Sequence, residues 1–209
     1  MSIIKLPSLY QPATAAEIIG PAGQIAAELE RAVKDAIEAG NAPVKAIFAG
    51  DAGTGKSTLA NFLVRALGVT SKWAVKKYSG VDVDIEKVRD IAADLHYKDL
   101  FGSYRVIWVE EADAIPSAAQ TRFLLLMDEL PPGCAVICTT NAKSDDFKNR
   151  FQTRFKFYEV GHPEPHEIEG LLRQFLPEAN KRDIVNIATF ACGNVRAALL
   201  DAERLLQAA

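Results

Sequence analysis

The sequence predicts an α/β fold in which a mostly parallel sheet of five strands is covered by helices on both faces. Short apolar runs alternate along the chain with segments whose apolar residues recur every three or four positions, which is typical of strands and helices in turn. From His162 onward no strand pattern appears and three helical patterns follow. We therefore predict an α/β domain over residues 1–161 and a small three-helix domain over residues 162–209.

The first half of the chain alternates helices with strands. Each helix is predicted from a recurring apolar stripe, and each strand from a short apolar or alternating run. In order, these elements are a helix from Ile25 to Ile37 that stops at Gly40, a strand over Val44–Gly50, a helix over Ser57–Leu67, a strand over Lys72–Ser79 and a helix from Ile85 to Leu95. Asp82 and Asp84 precede the last helix, and either side chain is able to cap it.

The second half contains the remaining strands and the C-terminal helices. A strand over Arg105–Val109 is rich in β-branched and aromatic residues. Pro116 and Ser117, followed by Gln120, predict a capping box at the start of the next helix. The other elements are strands over Cys134–Thr139 and Phe155–Val160 and helices seeded by Ile168, Leu171, Leu172 and Phe175, by Ile184, Ile187 and Ala188, and by Val195, Ala198, Leu199, Ala202 and Leu206.

Composition limits the class of protein. The chain has 209 residues, 49% of them hydrophobic, which is enough for one sizeable core and a small second unit. Its net charge of -3 gives no overall basic field, so contact with nucleic acid needs a local basic patch or partner subunits. Lys72, Lys76 and Lys77 offer such a patch, although their alternating placement on a strand favours a solvated sheet edge.

The cysteines and the N-terminus bear on the cellular compartment. Cys134, Cys138 and Cys192 have no CxxC spacing and two of them lie in an apolar run, so we expect buried free thiols in a reducing cytosol. The N-terminal segment lacks the pattern of a signal peptide, and no apolar run approaches the ~20 residues of a membrane span. We therefore expect a soluble, cytoplasmic protein with no membrane partner.

The segment AIFAGDAGTGKSTLANFL, residues 46–63, contains the pattern GxxxxGK[ST] between a predicted strand and a predicted helix. Small residues let the loop surround phosphate oxygens with N–H donors, and the helix directs its positive N-terminus at the same charge. We expect Lys56 to reach the outer phosphates and Ser57 to give an oxygen to Mg²⁺. The predicted nucleotide-binding residues here are Gly50, Asp51, Ala52, Gly53, Thr54, Gly55, Lys56, Ser57 and Thr58. The alternative is an ordinary glycine turn before a helix.

The segment YRVIWVEEAD supplies a second part of a nucleotide site, because two carboxylates end an apolar strand. Such a position is unfavourable for a carboxylate unless positive charge or solvent meets it. We expect Glu110 to contact the metal, directly or through water, and Glu111 to polarise the attacking water. The alternative is that both residues cap the next loop.

With these motifs the chain resembles an AAA+ ATPase, and it is most similar to the clamp-loader ATPase subunits of DNA replication over essentially all of its length. Two further segments carry this resemblance, YSGVDVDIEKVRDIAADL and EEADAIPSAAQTRFLLLMDELPPGCAVICTTN. The segment YQPATAAEIIG stands where clamp-loader subunits carry a Tyr-Arg-Pro motif and a stretch that covers the adenine. The resemblance therefore implies a P-loop NTPase fold with a helical lid, and contacts to the base from Tyr10, Pro12 and Ile18.

The resemblance also implies roles for three polar residues. Asn141 matches the sensor 1 residue, which contacts the γ-phosphate or the attacking water. Arg154, in FQTRFKFYEV, matches the arginine finger that reaches into a neighbouring subunit's site. It is expected to lie in a loop-like stretch with Lys148 and Arg150, so Arg150 is a rival for the role and a solvated basic loop is the alternative. Arg196, in GNVRAALL, matches the sensor 2 arginine through which the lid contacts the nucleotide; the alternative is a surface arginine.

The chain departs from the clamp-loader pattern at several positions. Glu110 replaces the usual aspartate, which lengthens the metal ligand by one methylene and predicts weaker Mg²⁺ binding or slower turnover. Gln11 replaces the arginine of the first motif, and Thr153 and Phe155 replace the serine and cysteine beside the finger. The chain ends at Ala209, so we expect it to lack the third helical domain that joins clamp-loader subunits into a collar.

The resemblance implies a function in which ATP and Mg²⁺ bind between protomers of a ring or spiral that assembles on DNA or a sliding clamp. Hydrolysis, triggered by the neighbour's arginine, then releases that partner. One alternative is an AAA+ loader or remodeller for a helicase, a junction or a transposase. Another is a weakly hydrolysing subunit that uses ATP to hold an assembly together. A small-molecule kinase fits least, because the chain has a helical C-terminal region instead of a substrate-binding insertion.

Overall fold

The computed structural model describes residues 5–96, 104–141 and 145–208. Within these ranges the helices are α1 (Leu6–Leu9), α2 (Pro21–Glu38), α3 (Lys56–Ala66), α4 (Ile85–His96), α5 (Ser117–Asp128), α6 (Asp145–Gln152), α7 (Pro165–Phe175), α8 (Lys181–Phe190) and α9 (Val195–Ala208). The strands are β1 (Val44–Ala49), β2 (Val75–Ser79), β3 (Arg105–Glu110), β4 (Cys134–Thr140) and β5 (Lys156–Glu159).

The five strands form one parallel sheet in the order β2-β3-β4-β1-β5, which confirms the predicted fold class. Because the strands are parallel, all their carboxyl ends lie at the same edge of the sheet. Ala49 at the end of β1 faces Thr140 of β4 in the pairing register, and Val109 of β3 faces Cys138 of β4. The residues that follow β1, β3 and β4 therefore meet at one edge, where ligands bind in open α/β sheets.

Helices cover both faces of the sheet because its central strands β1, β3 and β4 are apolar on both sides. Phe48 of β1 and Trp108 of β3 pack on one face with α2 and α3. Ile47 and Ile107, the neighbours of these residues along the chain, pack on the other face with α4, α5 and α6. A central strand buried on both faces reads as a continuous apolar run, which is why β1 and β4 were predictable from sequence.

The three C-terminal helices form a separate apolar cluster. Ile168 and Leu172 of α7, Ile184 of α8 and Leu199 of α9 are all buried in it. Leu6 of the short helix α1 joins this cluster, so the N-terminal segment packs against the C-terminal helices. No helix in the described ranges is long and apolar enough to cross a membrane.

Several predicted element boundaries and caps need correction. The segment Lys72–Ala74 is a 3₁₀ turn, so β2 is shorter than predicted. The predicted capping box at Ser117 is wrong, because Pro116 is the N-cap residue of α5 and the Gln120 amide donates to the Ile115 carbonyl at 2.8 Å. Of the two candidate caps for α4, Asp84 makes the capping hydrogen bond, because its Oδ1 accepts from the Lys87 N–H at 2.7 Å.

The stretch before Arg154 was expected to be a loop, but it forms α6. Phe147 and Phe151, four residues apart, lie on one face of this helix with ring centroids 4.3 Å apart. Both side chains are buried against α5 and the sheet. The apolar pair was present in the sequence, but the charged residues around it concealed the helical period.

Candidate functional site

A cleft of about 820 Å³ opens at the carboxyl edge of the sheet, between the α/β region and the start of α9. It is lined by most of the residues that the sequence singled out, contributed by the N-terminal segment, the loop after β1, the ends of β3 and β4, and α9. These residues are Tyr10, Pro12, Ile18, Ala52, Gly53, Thr54, Gly55, Lys56, Ser57, Thr58, Glu110, Glu111, Asn141 and Arg196.

The loop between β1 and α3 has a shape that depends on glycine. Gly55 is the N-cap residue of α3 and has a φ of 107°, in the left-handed region that favours glycine. A β carbon at Gly50 would lie 2.4 Å from the Val160 carbonyl oxygen, so the loop packs directly on the backbone after β5. Ser57 and Thr58 fall in the first turn of α3 and line the cleft. The glycine loop therefore leads directly into a helix N-terminus that lines the cleft, an arrangement typical of sites that bind phosphate.

Lys56 bends back over this loop. Its Nζ donates to the carbonyls of Gly50 at 2.9 Å and Asp51 at 2.7 Å. Burial is the main cause that lowers the pKa of Lys56, the positive charge of Arg196 lowers it further, and the carboxylates of Asp51 and Asp113 oppose both effects. Gly50 and Asp51 therefore hold the lysine and do not themselves line the cleft. Two cations close enough to affect each other make this part of the cleft suited to an anion.

The acidic pair lies at the end of β3, opposite the glycine loop. Glu110 is the last residue of β3 and Glu111 follows it, and both side chains are exposed to the cleft. Glu111 has a left-handed backbone, with φ of 53° and ψ of 52°, which is uncommon for a residue with a β carbon. A β carbon at Gly80 would lie 2.0 Å from the Glu111 carbonyl oxygen, so close packing fixes this unusual turn.

Asn141 and Arg196 approach the cleft from two other sides. Asn141 directly follows β4, which lies between β3 and β1 in the sheet, and it is exposed. Arg196 is the second residue of α9 and is also exposed. Since the charge of Arg196 lowers the pKa of Lys56, the guanidinium lies within electrostatic reach of the glycine loop. The sequence separation of these residues is large, and the fold brings them together.

The N-terminal segment contributes another part of the cleft wall. Pro12 and Ile18 are buried there, and the Tyr10 hydroxyl donates to the Glu17 carbonyl at 3.0 Å. Burial raises the pKa of Tyr10. Apolar walls of this kind suit the flat face of a base.

Sequence reasoning missed Arg65, which also lines the cleft, beside the N-terminal segment. Its guanidinium donates to the Pro12 carbonyl, so it joins α3 to the N-terminal segment. The sequence contained a signal, because Thr58, Asn61 and Arg65 are three and four positions apart and all line the cleft from one face of α3. A search along the helix after the glycine loop would have found Arg65.

Arg154 and Arg150 lie away from the cleft. Arg154 follows α6 in a turn, and its Nε donates to Asp128 at 3.0 Å. Arg150, within α6, donates to Gln120 at 3.2 Å and Thr121 at 3.1 Å. These five residues are called the α5–α6 surface below. Neither arginine is among the residues that line the cleft.

Two lysines of β2, a strand at the edge of the sheet, contact other side chains of the same chain. Lys76 forms an ion pair with Asp94, and the Lys77 Nζ lies 3.6 Å from the centroid of the Trp108 ring. These contacts favour the sheet-edge interpretation over a free basic patch, although both lysines have partners within the chain. Lys72 lies outside β2, in the 3₁₀ turn before it, beside Trp73, which is 81% exposed.

The burial of the cysteines differs in part from the expectation. Cys134 and Cys138 are buried free thiols in β4, as expected, and burial raises the pKa of both. Cys192 was also expected to be buried but is exposed, in a turn before α9. Within the described ranges no three His, Cys, Asp or Glu residues form a cluster that could hold a metal. A Mg²⁺ ion bound with phosphate does not need such a cluster, because phosphates and water supply most of its ligands.

Comparisons with known proteins agree with this geometry. The model of the ATPase family associated with various cellular activities (AAA) matches residues 46–161, which contain the glycine loop, both glutamates, Asn141 and Arg154. No curated protein matches the chain.

Among solved structures, a proline-to-glycine mutant of Thermotoga maritima RuvB aligns with a TM-score of 0.76 and 19% identity, over 94% of this chain and 66% of that one. The T. maritima RuvB Holliday junction branch migration motor aligns with a TM-score of 0.74 and 20% identity, over 94% of this chain and 65% of that one. The chain therefore spans slightly less than two thirds of these proteins, and at this identity the likeness concerns the fold.

Proposed function

The chain belongs to the AAA family, and from this premise we propose that it binds ATP with Mg²⁺ in the cleft and hydrolyses ATP to ADP and phosphate. One observation carries the proposal. Lys56, Glu110, Glu111, Asn141 and Arg196 come from distant parts of the chain and line one cleft beside the N-terminus of α3. We further propose that residues 162–209 form a lid domain over this site.

The glycine loop and two cations are proposed to hold the phosphates. Lys56 donates to two neutral carbonyls, and a phosphate oxygen is a stronger acceptor for an ammonium group because the hydrogen bond is charge-assisted. We expect Lys56 to leave these carbonyls for the β- and γ-phosphates. Arg196, which already lies within electrostatic reach of Lys56, is expected to bind the γ-phosphate from the side of α9.

Ser57 and Glu110 fit a Mg²⁺ ion bound with the nucleotide. Ser57 is in the first turn of α3, Glu110 ends β3, and both line the cleft. Such an ion keeps near-octahedral oxygen ligands and neutralises charge on the phosphates. The longer side chain of Glu110, relative to aspartate, makes binding through an intervening water the expected arrangement.

Glu111 and Asn141 are the proposed catalytic side chains of the same protomer. Glu111, which lines the cleft, is expected to accept a proton from the attacking water. Asn141 is expected to orient that water or the γ-phosphate. Tyr10, Pro12 and Ile18 are proposed to enclose the adenine, with Arg65 holding the segment that carries them.

Arg154 is proposed to act on the site of a neighbouring protomer. It is 30% exposed and paired with Asp128 on the α5–α6 surface, outside its own cleft. An arginine supplied to a transferring phosphoryl group stabilises charge in the transition state. We therefore propose that protomers assemble into a ring or spiral whose sites are completed in trans.

The proposed partner is DNA or a DNA-bound protein. Sequence resemblance supports a clamp-loader-like subunit that acts on a sliding clamp. A second candidate, a remodeller of DNA junctions, is supported by the fold likeness to RuvB over 94% of the chain. Capture of a purified sliding clamp in the presence of ATP would favour the first candidate. Retention by a four-way DNA junction without clamp binding would favour the second.

Calorimetric titration with ATP and Mg²⁺ tests the core of the proposal. The wild-type chain is expected to bind one ATP per protomer, and Glu111→Gln is expected to bind it with similar affinity. Binding by Lys56→Ala that equals the wild-type binding would contradict the proposed site. Slow hydrolysis together with tight binding would instead support the alternative of a weakly hydrolysing assembly subunit.

A further inference from the structure

The first turn of α9 contacts the glycine loop through backbone atoms. The Val195 N–H donates a 3.0 Å hydrogen bond to the Gly53 carbonyl. Beside it, the Asn194 Oδ1 accepts from the Ala197 N–H at 3.0 Å and so caps α9. The fit is close, because a β carbon at Gly53 would lie 1.8 Å from the Asn194 Oδ1. Position 53 must therefore be glycine for α9 to reach the loop.

This bond determines how the Gly53–Thr54 peptide is oriented. In a trans peptide the carbonyl and the N–H point in opposite directions. Because the Val195 N–H holds the Gly53 carbonyl toward α9, the Thr54 N–H of the same peptide points the other way. The Thr54 side chain is fixed as well, because its Oγ1 donates to the Asp51 carbonyl at 2.9 Å and the residue is 2% exposed.

We propose that the Val195 N–H positions the glycine loop for phosphate binding by keeping the Gly53 carbonyl away from the phosphates and the Thr54 N–H directed at them. A glycine peptide flips more readily than others, because Gly53, with a φ of 81°, has no side chain to restrict it. After a flip, the carbonyl oxygen would face the phosphates and repel them. The bond from α9 therefore completes the anion site.

The inference rests on the proposed nucleotide binding and extends it to the C-terminal helices. Arg196 directly follows Val195 in the chain. A single movement of α9 would therefore withdraw the Arg196 guanidinium and release the Gly53 carbonyl at the same time. By linkage, a nucleotide that needs the loop in this orientation favours the docked position of α9. Val195 is thus a positioning residue that joins the lid to the phosphate site.

Two substitutions of Val195 distinguish the contribution of its backbone N–H from that of its side chain. Val195→Pro removes the N–H at the first position of α9, where helices tolerate proline. Val195→Ala is the matched control, because it shortens the side chain and keeps the N–H. We expect Val195→Pro to bind ADP about fivefold more weakly than Val195→Ala, as for the loss of one neutral hydrogen bond. Without nucleotide, both variants are expected to unfold cooperatively on heating, which shows that any difference in ADP affinity comes from folded protein.

Equal ADP affinities for the two variants would overturn the inference. If the wild-type chain and Val195→Ala both failed to bind ADP, the proposed function itself would be wrong, which is a distinguishable result.

A semisynthetic chain covers the case in which Val195→Pro does not fold. Ligation at the natural Cys192 can join a synthetic C-terminal peptide that carries the hydroxy-acid analogue of valine at position 195. The resulting ester keeps the side chain and removes the N–H. A similar loss of ADP affinity relative to the ligated all-amide chain supports the inference, and unchanged affinity overturns it.

Discussion

The cleft and the α5–α6 surface hold their charged side chains in different ways. Lys56 donates to two loop carbonyls, in a position where burial lowers its pKa. Arg154 is paired with Asp128, and both of these side chains are partly exposed. Such an exposed ion pair contributes only about 0–1 kcal/mol. The cleft is therefore built within one chain, whereas Arg154 can exchange its partner at little cost.

In the proposed assembly, this difference would separate two kinds of functional residue. A residue that acts within its own protomer is held by the fold before the ligand binds. A residue that acts on another protomer needs an exposed resting contact that is easily exchanged. The predictions below test whether the two regions differ in this way.

Arg154→Ala is expected to have the largest effect on hydrolysis. In an assembled complex, loss of a trans arginine should reduce the rate about 10³-fold, as for arginine fingers in other systems. ATP binding by the isolated protomer should not change. The measurements are steady-state hydrolysis and calorimetric titration. Arg150→Ala is the matched control on the same surface. An equal loss in both variants would contradict a role specific to Arg154, and a loss in Arg150→Ala alone would move the finger role to Arg150.

Glu111→Gln is expected to reduce hydrolysis about 10²-fold, because an amide cannot accept the proton of the attacking water. ATP should remain bound, and single-turnover kinetics with labelled ATP would show the trapped complex. Hydrolysis at the wild-type rate would show that Glu111 is a loop-capping residue, which was the alternative derived from sequence.

Lys56→Ala is expected to weaken ATP binding about 30-fold, the effect of losing a hydrogen bond from a charged group. Lys56→Arg keeps the charge and should retain part of the affinity. Calorimetry with ATP and ADP measures both variants. Equal affinities of Lys56→Ala and the wild-type chain would mean that the lysine only stabilises the empty loop.

Arg65→Ala is expected to have the smallest effect, about fivefold weaker ATP binding, because it removes a support of the N-terminal segment and no phosphate contact. Arg204→Ala, on an exposed face of α9, is the control. Affinity for ATP and for GTP should be compared, since a displaced base-binding segment weakens discrimination between bases. No change in either affinity would remove Arg65 from the site.

The sequence predicted the central part of the fold and of the candidate site because the signals there are local. The strand, glycine loop and helix around Lys56 lie within one short segment, and Glu110 and Glu111 end an apolar run. The order of strands in the sheet was not readable from these patterns. It determines that Asn141, after β4, lies between the other two parts of the site.

What the sequence did not predict depends on contacts between distant segments. The approach of Asn194 to Gly53 joins residues far apart in the chain, and neither residue alone indicates it. Helix α6 was missed because only two buried phenylalanines mark it among polar residues. The resting contact of Arg154 with Asp128 likewise requires α5 and α6 to be packed together.

Mixing Arg154→Ala with Glu111→Gln tests most directly whether the site is completed in trans. Each variant alone is expected to be nearly inactive. In a mixed assembly, an Arg154→Ala protomer keeps Glu111 and can receive Arg154 from a Glu111→Gln neighbour. ATP hydrolysis by the mixture should therefore rise well above that of either variant, and it should increase with protein concentration. A mixture that hydrolyses ATP only at the average rate of its two components would contradict the proposal.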